Sequence, residues 1–167
     1  HVLRSVKAGD VGEDRVVVKE YLRWACLAGL DLSVIRGLAE KCSKGDIDVA
    51  AYSGAAQGGH TDVLDLLASE FGAEIGVHCL IRAASWGHDA MIDHLVEEYG
   101  VDPNEDVGVS TALHFAAGNG SVRTVKHLVE KHNVDIHRTD DAGETALDLA
   151  EAKGYTECAA YLRERLR

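Results

Sequence analysis

The chain holds one proline in 167 residues, and aromatic side chains make up only 5% of it. A core this short of aromatics has to be built from Ala, Leu and Val, which suits helices that approach one another closely. No uninterrupted apolar run reaches the roughly 18 residues that a membrane-spanning helix requires, so membrane insertion is not expected. The opening HVLRSVKAGD lacks the apolar centre of a secretory signal. It begins at His1 rather than Met, and we therefore expect the parent protein to be larger. A basic excess is also missing: the formal net charge is −11. Phosphates would be repelled, which argues against nucleic acid as a partner. Hydrophobic residues at 46% argue against disorder.

Cysteine is sparse as well. Cys26, Cys42, Cys79 and Cys158 lie far apart, with no paired metal-ligand spacing. Cys26, Cys79 and Cys158 fall at small or apolar positions, where a buried thiol acts as a small hydrophobe. This usage predicts a reducing, intracellular and cytoplasmic setting.

What the chain does have is a period. TALHFAAGNGSVRTVKHLV at Thr111 returns as TALDLAEAKGYTECAAYLR at Thr145, 34 residues on. Weaker copies begin at Tyr52 (YSGAAQGGHTDVLDLLA) and Cys79 (CLIRAASWGHDAMIDHLV). Gly59, Gly87, Gly120 and Gly154 close the first helix of each unit, at spacings of 28, 33 and 34. A single unit of this size cannot bury its own apolar face, so neighbours must stack. In the clearest unit Leu113, Ala116 and Ala117 share one helical face, Thr111 is placed to cap it, and Gly118 and Gly120 stop it. Val122, Val125, Leu128 and Val129 form the face of a second, antiparallel helix.

These residues resemble the ankyrin repeat. Thr111, Leu113, His114, Ala116, Ala117, Gly120, Val125 and Leu128 match its pattern, as do Ala83, Ala84, Gly87, His88, Ile92 and Leu95. Ala55, Ala56, Gly59, His60, Val63, Leu64, Leu66 and Leu67 match one unit earlier. Ala112 and Ala146 stand where the family has proline, and Asp148 stands where the last unit should have histidine. Those departures are expected to weaken the helix-starting turns. The resemblance covers residues 46–167 and implies an all-α solenoid of about five helix-turn-helix units with short β-turn fingers.

The organisation expected is a single ankyrin-repeat domain over 1–167. It comprises a divergent N-terminal unit at 1–45, repeats at 46–75, 76–104 and 105–138, and a capping repeat at 139–167. Lys153, Glu157, Arg163, Glu164, Arg165 and Arg167 give the last unit the polar outer face of a cap. For the N-terminus we favour a long first helix over Val16–Ala28 with Leu32–Cys42 packed behind it. The alternative makes VLRSVKAGD a degenerate unit of its own. Trp24, beside Ala25, is expected in the core.

Chemistry is harder to find. There is no Gly-x-Ser-x-Gly elbow, no phosphate loop and no HExxH. The nine histidines invite a metal. His60, His88 and His114 sit at repeat positions, explained by hydrogen bonds in turns and between units. His127, His132 and His137 are spaced by five and straddle a helix end, a spacing that does not line up on one helix side. We therefore expect no catalytic residue, no cofactor and no metal.

The resemblance implies a protein partner on the concave face, lined by finger tips and by the residues after each Ala-Ala pair. Those include Gln57, Ser85, Trp86 and Asn119. Trp86 is the expected hot spot, with packing against a neighbouring stem as the rival reading. The finger tips are acidic: Asp46 and Asp48, then Asp102, Glu105 and Asp106, then Asp140, Asp141 and Glu144. Asp106, Asp141 and Glu144 are the expected contacts for a partner with a basic surface, although Asp is also favoured in turns for local reasons. The expected function is a monomeric protein–protein interaction module: scaffold, adaptor or targeting domain. The rivals are a bacterial or viral effector that blocks an enzyme with the same surface, and a regulatory domain of a larger enzyme.

Overall fold

The computed structural model describes residues 15–42, 47–108 and 110–167, with the side chains of Arg15 and Val16 excluded. The N-terminal alternative at VLRSVKAGD and the finger residue Asp46 lie outside the described residues. Among those described, the chain is all-helical. The helices are α1 (Arg15–Ala28), α2 (Leu32–Ala39), α3 (Val49–Gly58), α4 (Thr61–Phe71), α5 (Val77–Trp86), α6 (Asp89–Glu97), α7 (Ala112–Gly118), α8 (Val122–Glu130), α9 (Ala146–Ala152) and α10 (Thr156–Arg165). Two compact units divide between Ile75 and Gly76.

In the first unit, α1 packs against α2 and α3, and α4 covers α2 and α3. The long first helix runs over Arg15–Ala28, and its partner over Leu32–Ala39 stops short of the expected end at Cys42. Val18, Leu22, Ala25 and Cys26 are the buried face of α1, at the spacings of one helical stripe. Trp24 is not part of it. Its side chain is 56% exposed, which corrects the expectation that it is a core residue. One step along a helix turns about 100°, so sequence adjacency to Ala25 carries Trp24 off the buried face. The α1–α3 approach is close enough to need glycine. A Cβ on Gly58 would lie 2.4 Å from the Leu27 carbonyl oxygen and 2.5 Å from the His60 ring. Arg36 on α2 grips Glu70 on α4 with two hydrogen bonds, of 2.7 and 2.6 Å.

In the second unit, α5, α7 and α9 form an inner row, each paired with an outer helix: α6, α8 and α10. Ala83, Ala84, Ala116, Ala117 and Ala150 are completely buried. Their small side chains let the inner helices sit close, and Leu80, Ile92, Leu95, Leu113, Leu128 and Leu162 fill the space behind them. Gly59, Gly87, Gly120 and Gly154 adopt the left-handed conformation expected of helix stops, with φ between 74° and 76°, whereas Gly118, also read as a stop, is the last residue of α7 itself. At the end of α8 this role passes to Asn133, at φ 50°, and asparagine is among the few other residues that tolerate it. Between helix pairs the chain makes fingers rather than strands, held by isolated bridges between Asp106 and Thr111 and between Thr139 and Thr145.

The helix-starting turns are intact. Thr111 donates its backbone N–H to His114 Nδ1 at 3.3 Å, and its hydroxyl lies 2.8 Å from the same nitrogen. In the last unit Asp148 does the same work with a carboxylate. It accepts from the Thr145 amide at 2.8 Å and hydroxyl at 2.7 Å, while the Asp148 amide donates back to Thr145 Oγ1 at 3.2 Å. The weakening expected from the missing histidine is thus made good locally, by a reciprocal cap that satisfies both orphan donors.

Candidate functional site

The second unit brings most of the expected surface residues onto one set of elements. Ser85 and Trp86 end α5, Asn119 caps α7, and the fingers carry Asp106, Asp141 and Glu144. Gln57 belongs to the other unit, half-buried on α3. Trp86 is 61% exposed. Its neighbour Ser85 is pinned instead: Asn119 donates its side-chain amide to the Ser85 carbonyl at 3.1 Å. One unit on, Lys153 Nζ donates to the Gly118 carbonyl at 2.8 Å. Each link spans one repeat and satisfies a carbonyl that a helix end leaves open. Asn119 therefore serves packing between repeats as well as lining the surface.

The acidic fingers are less free than their sequence suggests. Asp106 Oδ1 accepts from the Gly108 amide at 2.8 Å, and Oδ2 pairs with Arg138 at 2.7 Å. Asp140 Oδ1 accepts from the amides of Ala142 at 2.9 Å and Glu144 at 3.0 Å. Asn104 takes the Asp135 amide at 2.8 Å, tying one finger to the next. Turn chemistry thus claims Asp106 and Asp140. The side chains of Glu105, Asp141 and Glu144 remain exposed to solvent.

The outer helices carry an arrangement that single-residue reading missed. Asp89, Asp93 and Glu97 rise along α6 at helical spacing of four and meet Arg123, His127 and Lys131 in a ladder. The bonded distances are 2.8, 2.7 and 2.9 Å, and the partners in each pair are 34 residues apart, one repeat. Glu130 continues it to Arg165 on α10 at 2.8 Å. Periodic charge at the repeat length was the available signal. It stays invisible when acids and bases are merely counted.

Asp93 is the centre of the ladder. His127 Nε2 and His132 Nε2 lie 2.7 and 2.8 Å from its Oδ1, and Lys131 Nζ lies 2.8 Å from its Oδ2. The two rings meet edge to face, 5.3 Å apart. Burial opposes the charge on Asp93, yet the hydrogen bonds from Lys131, His132 and His127 outweigh it and lower the carboxyl to about 2. An ionised carboxylate only accepts, so both Nε2 atoms carry protons here. The five-residue spacing had argued that these histidines diverge. They converge because α8 ends at Glu130 and His132 sits past the cap, where the chain has already begun to turn. His137 is exposed on the finger, as a five-residue spacing would suggest.

Among the described residues, no helix is long and apolar enough to cross a membrane. The family model for ankyrin repeats, in three copies, matches residues 80–166. Human espin-like protein is 50% identical over 54 residues, which is 32% of this chain and 5% of that protein. Human protein phosphatase 1 regulatory subunit 27 is 47% identical over 51 residues, 30% of this chain and 32% of that protein. Its mouse counterpart is 45% identical over 51 residues. The matched segment is thus about a third or less of the length of these relatives. With more than half its length matched by the family, and with its paired helices, alanine contacts and capping boxes in register, the chain belongs to the ankyrin repeat family.

Proposed function

We propose that the chain is a non-catalytic recognition module and that its second unit holds a protein partner around Trp86. Ankyrin repeats are generally protein–protein interaction modules. The observation that carries the reading is Trp86 itself. An indole 61% exposed at the end of α5 keeps its apolar area for another molecule, and tryptophan is enriched at interface hot spots. Asn119 holds the neighbouring Ser85 backbone, so the platform is ordered before binding. Asp141 and Glu144 supply exposed negative charge for a partner with basic character. None of Cys26, Cys42, Cys79 and Cys158 is joined in a disulfide, which favours an intracellular site of action.

A second reading has its own support: two relatives are named as regulatory subunits of protein phosphatase 1. In that reading the partner is an enzyme, and the module directs or restrains it.

Two measurements separate these. Affinity capture from cells with wild type, Trp86→Ala and Lys126→Ala should recover a set of proteins that Trp86→Ala loses and Lys126→Ala keeps. Lys126 lies on α8 against the Tyr161 ring and serves as the control. Loss with Lys126→Ala and retention with Trp86→Ala would place recognition on the outer helices instead. Calorimetry with purified protein phosphatase 1 catalytic subunit tests the second reading directly, and no heat of binding would remove it.

A further inference from the structure

We propose that Asp93, His127 and His132 form a binding site for a borderline divalent transition metal, with Zn2+ as the expected ion. The three ligand atoms, one from each residue, all lie within 4.8 Å of one another. Two imidazole nitrogens and one carboxylate oxygen are the donor set of many three-ligand zinc sites. Such a set suits Zn2+ and its neighbours in the transition series. It is a poor match for Mg2+ or Ca2+, which demand oxygen cages.

The geometry is close to what an ion requires. Both Nε2 atoms already face a single oxygen, at 2.7 and 2.8 Å. Around a tetrahedral ion with metal–ligand distances near 2.0–2.1 Å, ligand atoms stand about 3.3 Å apart. The two Nε2–Oδ1 distances have to open by roughly half an ångström, a movement within reach of side-chain torsions. In each neutral ring the proton moves from Nε2 to Nδ1, and the freed lone pair faces the ion. Lys131 holds Oδ2 and is itself held by Glu97 at 2.9 Å. It orients the carboxylate with Oδ1 inward, as an outer-shell partner does in zinc sites. The ammonium also limits affinity by its charge, while the net charge of −11 favours cation approach.

Placement suits entry and retention. The His132 side chain is 5% exposed, and those of His127 and Asp93 are 21% and 25% exposed. One wall is therefore closed and the other is reachable from solvent. The ligands come from α6, from α8 and from the turn after α8, so an ion would join two successive repeats. A fourth position remains for water or for a partner's side chain.

The test uses chain stripped with EDTA, desalted, and titrated with Zn2+ in a non-coordinating buffer, in parallel with Mg2+. One Zn2+ per chain should bind, undisturbed by millimolar Mg2+. Asp93→Asn, His127→Gln and His132→Gln should each weaken Zn2+ at least tenfold, and His137→Gln should change nothing. No binding by the wild type would overturn the proposal, and so would binding that survives the His127→Gln/His132→Gln double variant. Should those variants fail to fold, imidazole nitrogen NMR of the wild type decides. Zn2+ should shift Nε2 of His127 and His132 first, and shifts confined to other histidines would refute the site.

Discussion

His114 Nε2 lies 3.2 Å from the carbonyl oxygen of Glu144, 30 residues along the chain. The other ring nitrogen accepts from the Thr111 amide, so the Nε2 atom carries the proton and donates it. One buried imidazole, 2% exposed, thereby starts its own helix and holds the next finger. Asp148 makes only the first of these bonds. Removing His114 leaves the Thr111 amide without its partner and takes one of two donors from the Glu144 carbonyl, which also accepts from the Asp140 amide at 2.9 Å. His114→Ala is expected to cost about 2–4 kcal/mol, and Asp148→Ala only about 1 kcal/mol. Urea titrations of both variants check this, and equal losses would mean that the link to Glu144 contributes nothing.

The inner alanine contacts leave no room for added volume. Ala116 is fully buried between α7 and its neighbours, and Ala116→Leu should lose about 1–3 kcal/mol by overpacking. Gly120→Ala should do similar damage for two reasons. Its φ is 74°, and a Cβ there would sit 2.5 Å from the Tyr155 ring. A melting curve unchanged in either variant would show that the helices have slack.

Acid should loosen the first unit through Asp48. This residue caps α3 through the Ala50 amide at 3.1 Å and pairs with Arg23 on α1 at 2.6 Å. Burial opposes its charge, but the Arg23 hydrogen bond and ion pair and the helix amides together lower its pKa below the ordinary value. A depressed carboxylate contributes fully above its unfolded pKa, near 4. The contribution fades as pH falls through the lower folded value. The wild type should therefore lose stability below about pH 4, and Asp48→Asn should show a shallower loss over the same range. Thermal melts between pH 2 and pH 7 compare the two, and parallel curves would exclude Asp48 as a source of acid sensitivity.

Thiol reactivity should divide by burial. Burial pushes the Cys26 thiol up to about 12, with a smaller push from Cys42, and Cys79 and Cys158 are also buried. A thiolate-seeking reagent at neutral pH should label Cys42 first and reach the other three on the timescale of unfolding. Fast labelling of two or more thiols in the native chain would contradict this packing.

For the partner surface, the two kinds of acid should behave differently. Asp141→Asn with Glu144→Gln should slow association severalfold and flatten its salt dependence, since exposed charges act mainly on encounter. Asp106→Asn should have a smaller effect on encounter, because Asp106 is already paired with Arg138. Stopped-flow rates at two ionic strengths against a captured partner separate them. A larger effect at Asp106 would mean that the pair opens on binding.

The repeat was legible because its physics is periodic in the chain. Alanine pairs, terminal glycines and capping threonines recur at the length of one stacking unit, and each residue type has a single structural use there. Helix identity, the buried cysteines and the exposure of Trp86 all followed from position within that unit. Trp24 did not, because adjacency to a buried alanine says nothing about which side of a helix a residue takes.

What only the tertiary structure decided is where polar side chains find their partners. Asp106 reaches Arg138, and Asp93 gathers His127, His132 and Lys131, over separations that stacking alone makes short. Hydrogen bonds and ion pairs depend on distances of a few ångströms and on the direction of a turn. A one-residue change in where α8 ends would send His132 elsewhere. The sequence determined the repeating helix pair, because burial follows pattern. The folded chain determined the polar cluster, because convergence follows geometry.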